Sequence, residues 1–265
     1  MTSLMTISKT TTMNFLLQTI DKKIVHDFGF ALIQSKDYIN WVSDYYAMTI
    51  RKHEGLDFSC IKNPDKYIPV GSVDFVSAYL NTFYPNAKKM LEPLNVPEVL
   101  FPFAGRDIMN IKTDEDLKRL YKFDKVFAKS TSVIKHPDNG WIYNPKNEMS
   151  ELLKCDNRIG FQVSSYVEFL SEWRVFVFNG KILDCRNYLG DFFTYPNPNT
   201  IINMAKEYNN APVAYTLDVG VTAGGETVVI ECHRFFSCGL YGFNDFYHYP
   251  LMLSQEWFEM KNYKE

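Results

Sequence analysis

Two short turn signals set the limits on what this chain can fold into. Asn179-Gly180 and Gly224-Gly225 each lie between stretches rich in Val, Ile, Phe, Tyr and Trp. Such dipeptides accept the positive φ angles that a two-residue antiparallel hairpin requires. Five stretches, 161–167, 172–178, 181–188, 215–221 and 227–233, have strand composition. The second half of the chain is therefore expected to form mainly antiparallel sheet.

The first half alternates differently. Residues 15–20 and 67–70 read as buried strands, and 125–129 as a further strand. Ser35-Lys36-Asp37 supplies a helix start before Ile39, Val42, Tyr46 and Ile50, which recur at near-helical spacing. Gly71-Ser72 breaks the second strand and caps a helix over 73–83 that Pro85 stops. Pro93, Pro97 and Pro102 mark an extended connection. Thr113 with Asp116 has the spacing of a capping box, 130–146 reads as a long mobile loop, and 200–208 as a short helix. The fold class is α/β, of α+β character. The expected division is a disordered lead-in over 1–13, a small α/β domain over 14–104 and a larger domain over 105–265.

Composition removes several alternatives. Hydrophobic residues form 46% of the 265 and aromatics 16%, which suits a packed globular chain rather than a disordered one. A formal net charge of −3 and the lack of a dense Lys/Arg run speak against a nucleic-acid partner. The five cysteines, Cys60, Cys155, Cys185, Cys232 and Cys238, include no Cys-x-x-Cys pair and fit a reducing compartment. No apolar run has the length of a membrane span, and 1–13 lacks a signal-peptide pattern. A soluble, cytoplasmic protein is expected, of unknown oligomeric state.

The most informative stretch runs from Tyr215 to His233. With Gly224-Gly225 as the turn, Ala223 pairs with Glu226, and counting back sets Asp218 opposite Glu231. Like charges facing each other across a strand pair are destabilising, so a divalent cation between them would rationalise the pair. Mg²⁺ favours such hard oxygen sites, completed by water and phosphate. His233 falls on the same face, opposite Thr216, as a further ligand or a phosphate contact. Two solvated carboxylates on an open hairpin face are the plainer reading of the same pattern. A similar choice applies to Arg174, whose anion is either a ligand or simply Glu172 on the same face.

The ordered set of these features resembles the ATP-grasp superfamily, from about Lys125 to the end of the chain. The small N-terminal domain, with Tyr67-Ile-Pro-Val-Gly-Ser-Val-Asp-Phe75, is similar to that of phage-type members with a signature of two arginines and one lysine. The resemblance implies an ATP-grasp fold that binds ATP and Mg²⁺. Val126-Phe-Ala-Lys129 resembles the strand whose lysine contacts the α- and β-phosphates, and Lys135 stands where a second lysine approaches the nucleotide. Phe161-Gln-Val-Ser-Ser-Tyr-Val167 resembles the adenine-reading hinge, which brings in Gln162, Val163, Ser165, Tyr166 and Val167. Glu172-Trp-Arg-Val-Phe-Val resembles the hairpin that follows, with Glu172 near the nucleotide and Arg174 on phosphate or on the reacting carboxylate. Arg186 is the natural second arginine, although a plain Asn179-Gly180 turn pairs Arg174 with Cys185 and turns Arg186 to the other face unless a bulge intervenes. Asp218, Glu231 and His233 match the metal-ligand set, with histidine where the family usually has asparagine.

The activity so implied is ligation of a carboxylate to an amine or similar nucleophile through an acylphosphate. The substrate would be a small molecule, an amino acid, a peptide or a protein. An ATP-binding module without turnover and a kinase are the alternatives.

Overall fold

The computed structural model describes residues 11–132, 140–147 and 160–263. The described residues fall into two compact units, one drawn from Met1–Lys88 with Phe235–Glu265 and the other spanning Lys89–Arg234.

In the first unit, strand β1 (Thr11–Thr19) lies between β2 (Tyr46–Glu54) and β3 (Ile68–Val70), all parallel. Parallel neighbours need a crossover. Helix α1 (Asp27–Val42) provides it between β1 and β2. Helix α2 (Val73–Phe83) follows β3 and begins at Ser72, whose hydroxyl accepts the Phe75 N–H. Phe15, Leu16, Leu17, Leu32, Ile39, Phe75 and Tyr79 form the buried core.

Two expectations change in this unit. The lead-in expected over 1–13 gives way to strand from Thr11, because Thr11-Thr12-Met13 pair with Tyr46-Ala47-Met48 and Met13 is buried. The helix expected from Ser35 through Ile50 instead starts at Asp27 and ends at Val42. The Ser43 hydroxyl accepts the N–H groups of Tyr45 and Tyr46, and the Asn40 side chain bonds both backbone groups of Met48, so the chain is turned into β2. Tyr46 and Ile50 are four apart, a spacing that satisfies period two as well as period 3.6.

The second unit contains two four-stranded sheets. One is ordered β4 (Ile108–Ile111), β7 (Phe161–Ser165), β5 (Val126–Ser130) and β6 (Trp141–Tyr143). The other is ordered β11 (Thr227–Arg234), β10 (Ala214–Thr222), β8 (Phe169–Phe178) and β9 (Lys181–Gly190). Every pairing in both is antiparallel. Strand β6 lies within the stretch expected to be loop, while 133–139 of that stretch is outside the described residues. Helix α3 (Asp114–Lys118) starts with the Thr113–Asp116 capping box, and α4 (Pro198–Glu207) packs near β9 and β11. Helix α5 (His248–Lys261) belongs to the first unit.

The proline-marked connection is not a spacer. Val96, Leu100 and Ala104 are buried in one cluster with Trp173, Val175, Leu217 and Val229, so 89–104 belongs to the second unit, and the border expected at 104 falls after Lys88 instead. Asn95 adopts φ +48°, accepts the Cys232 N–H at 2.6 Å and donates to the Ser130 carbonyl at 2.8 Å.

Candidate active site

Each sheet of the second unit has one face in a core and another that carries polar groups. On β8, Trp173, Val175 and Val177 enter the core cluster. Glu172, Arg174 and Phe176 alternate with them and take the opposite face. The neighbouring strands supply Asp218 and Thr216 from β10 and Glu231 and His233 from β11. A single rung across the sheet therefore reads Arg186, Arg174, Asp218, Glu231.

Bulges set this rung. The β10–β11 turn places Thr222, and not Ala223, against Glu226, one residue away from the expected register, with Gly225 at φ +79°. Val219 then pairs with Val229, and an extra residue, Ile230, restores Asp218 to Glu231 and Thr216 to His233. The β8–β9 hairpin starts as expected, with Asn179 and Gly180 both at positive φ and Phe178 opposite Lys181. A bulge at Leu183 then moves Arg174 from Cys185 to Arg186, so the two arginines share a face. A second bulge sets Tyr188 between the pairs Trp173–Asn187 and Glu172–Leu189, and its hydroxyl donates to the Glu172 carboxylate at 2.7 Å.

The charges are closely matched. Arg174 grips Asp218 in bidentate fashion, Nε to Oδ1 at 2.8 Å and Nη2 to Oδ2 at 2.7 Å, with both side chains buried. Lys129, near the end of β5, makes an ion pair with Glu231 Oε2, and His233 Nε2 lies 3.1 Å from Glu231 Oε1. Burial alone would push the Glu231 carboxyl up, but His233 and Lys129 outweigh it and hold the group well below the usual carboxylate range. Glu172 goes the other way: burial raises it, against the hydrogen bond from Tyr188. Arg186 pairs with Asp184 on its own strand at 2.7 Å.

A cavity of about 550 Å³ opens beside this face, a size suited to a small-molecule or cofactor site. Lys129 and Phe127 from β5, 164–168 at the end of β7, Glu172, Tyr188, Ile230 and Glu231 line it, together with Arg106. Of the residues expected at the nucleotide, Lys129, Ser165, Tyr166, Val167 and Glu172 meet here. Gln162 and Val163 do not line the cavity. The Gln162 amide bonds both backbone groups of Val96 at 2.9 Å, and Val163 is buried in the core under β4, β5 and β7. Lys135 lies outside the described residues. One ligand atom each from Asp218, Glu231 and His233 fall within 4.8 Å of one another.

Arg106 was not singled out by sequence. Its guanidinium lies among backbone carbonyls, donating to Ala104 at 3.0 Å, Val229 at 2.6 Å and Ile230 at 3.2 Å. Burial pushes its pKa down to about 10, against the pull of Glu231. A lone arginine after Gly105 has no motif to give it away.

Two antiparallel sheets meeting over such a cavity, one contributing a lysine and the other facing carboxylates, define the ATP-grasp class. Residues 103–249 match the model of an ATP-grasp domain family, the second family of its clade, and the chain belongs to that family. Sequence comparison with curated proteins gave no match. Among solved structures, the fold is similar to N5-carboxyaminoimidazole synthetase from Staphylococcus aureus, with TM-score 0.60 at 11% identity over 92% of this chain and 77% of that one. It is also similar to D-cycloserine synthetase DcsG, with TM-score 0.55 at 9% identity over 92% and 99%. A third neighbour is the RiPP-associated ATP-grasp ligase of Chryseobacterium gregarium, solved with ADP and a leader and core peptide, with TM-score 0.51 at 12% identity over 92% and 95%. Among the described residues no helix is long and apolar enough to cross a membrane.

Proposed function

We propose that this chain is an ATP- and Mg²⁺-dependent ligase that joins a carboxylate to an amine or similar nucleophile. The observation that carries the reading is the rung Arg186, Arg174, Asp218, Glu231, whose Glu231 lines the cavity together with Lys129.

The donor set suits a divalent cation. Two carboxylates and an imidazole converge, and the present partners of the carboxylates are cations. Arg174 donates one hydrogen bond to each Asp218 oxygen, while a carboxylate has about four lone-pair sites, so capacity for a metal remains. His233 tilts the site toward a somewhat softer ion such as Mn²⁺.

ATP supplies the phosphoryl group that activates a carboxylate as an acylphosphate, and the metal neutralises the phosphate charge. The remaining roles belong to the chain. Lys129 exchanges its Glu231 contact for phosphate, as a mobile point charge can. Ser165 and Tyr166 already donate their N–H groups to the carbonyls of Asp107 and Lys125, so a backbone N–H donor to adenine comes from Val167 onward. Glu172, held by Tyr188, faces the same cavity. Arg186, opposite Arg174 on the rung and oriented by Asp184, is the cation assigned to a substrate carboxylate. The fold shared with a ligase that holds a core peptide supports an amino acid or peptide as substrate.

A screen for phosphate release with ATP and Mg²⁺ tests the reading. A ligase releases ADP and phosphate only when a carboxylate and an amine are both present. Turnover with a hydroxyl acceptor alone would instead identify a kinase.

A further inference from the structure

The facing pair Asp218 and Glu231 exists only because β11 is bulged. In the register that leaves the turn, Val221 pairs with Thr227 and Val219 with Val229. Continued without interruption, it would set Asp218 against Ile230 and Glu231 against Leu217, in the core with Trp173 and Val175. The extra residue Ile230 turns Glu231 and His233 to the cavity side. A bulge leaves ladder groups unpaired, and among the described residues β11 is the edge strand of its sheet, bridged beyond that edge by Asn95 at Cys232.

We infer that Arg106 is a positioning residue that clasps this bulge and thereby fixes the metal-ligand register. Carbonyls of successive residues in a regular strand point to opposite sides, so one planar guanidinium can hold two in a row only where the backbone is bulged. Arg106 does so, with Nη1 on Val229 and Nη2 on Ile230, while Nη1 also holds Ala104 in its own segment. The inference rests on the proposed metal role of Asp218, Glu231 and His233, but the clasp itself is a statement about backbone.

The test uses the full chain as wild type, Arg106→Met, Arg106→Lys and Glu231→Gln, and repeats Arg106→Met in a background lacking Ile230. Deleting Ile230 returns Glu231 to Asp218 without a bulge, so the clasp has nothing left to hold. Mn²⁺ affinity is read by electron paramagnetic resonance, and hydrogen exchange is read over 226–234. Arg106→Met is expected to lose about ten- to hundredfold in Mn²⁺ affinity, as loss of a supporting group around a metal site does, and to deprotect 226–234 selectively. Arg106→Lys, which keeps the charge but not the fork, should recover less than half of that loss on a logarithmic scale. In the deletion background Arg106→Met should add little. Wild-type exchange over 226–234 in Arg106→Met would overturn the clasp, as would an equal loss of affinity with and without Ile230. If the wild type itself bound no Mn²⁺, the metal reading would fall, and the exchange of 226–234 would still decide for or against the clasp.

Discussion

At the residue level, the energetics centre on Arg174 and Asp218. Both are buried, and each satisfies the other through two hydrogen bonds. Removing one member leaves an uncompensated charge, which typically costs about 3–5 kcal/mol. Arg174→Met is thus expected to lower urea-unfolding stability by about that amount. Glu231 sits in a different balance, since Lys129 and His233 both hold it. Glu231→Gln removes those ion pairs, so it should cost about 1–3 kcal/mol of stability as well as the metal dependence of turnover. A stability gain, as expected for a bare like-charge pair, is not supported by this geometry. Lys129→Met should weaken nucleotide binding while leaving metal-only binding in place, checked by titration with ADP and with Mn²⁺ separately.

At the level of elements, the Asn179-Gly180 turn and the helix caps are legible in sequence, whereas the register of the Gly224-Gly225 turn and the bulges are not. Asn179-Gly180, Ser72 before Val73 and Thr113 with Asp116 announce their structures locally, because the residues that name the turn or cap also satisfy it. The bulges at Ile230 and Leu183 have no such signature. The first is satisfied by Arg106, more than a hundred positions away in sequence. The facing of Asp218 and Glu231 was reached from a turn one residue out of register, and Ile230 makes up the difference. Gln162 shows the same limit, since nothing near it in sequence reveals that its amide is committed to Val96. Backbone strain offers a direct check on this sheet. Gly190 has φ +78° and a Cβ there would lie 2.2 Å from the Leu170 carbonyl oxygen, whereas Gly180, at φ +70°, has open space around it. Gly180→Ala should cost about 1–2 kcal/mol for the left-handed backbone alone. Gly190→Ala should cost clearly more, read by the same urea titration.

At the scale of the whole molecule, two compact units permit more than one unfolding transition, so a single midpoint is not assured. The first unit carries its own pH response. His53 is buried against Phe58 and Phe75, and burial lowers its pKa below the ordinary 6.5. Below pH 6.5 the unfolded chain therefore binds a proton that the folded one resists. Stability from this site is full above about pH 6.5 and is lost as the pH falls toward the folded-state value. His53→Phe should flatten that acid-side slope in melting curves, even if it shifts the neutral-pH midpoint. In the second unit, the proposed metal and nucleotide sites meet at the cavity lined by Lys129 and Glu231. The most direct test is calorimetric titration of ATP into wild type and Glu231→Gln, each with and without Mg²⁺. Mg²⁺ is expected to tighten ATP binding to the wild type, and Glu231→Gln to remove most of this enhancement. An equal Mg²⁺ enhancement in the two proteins would contradict this placement.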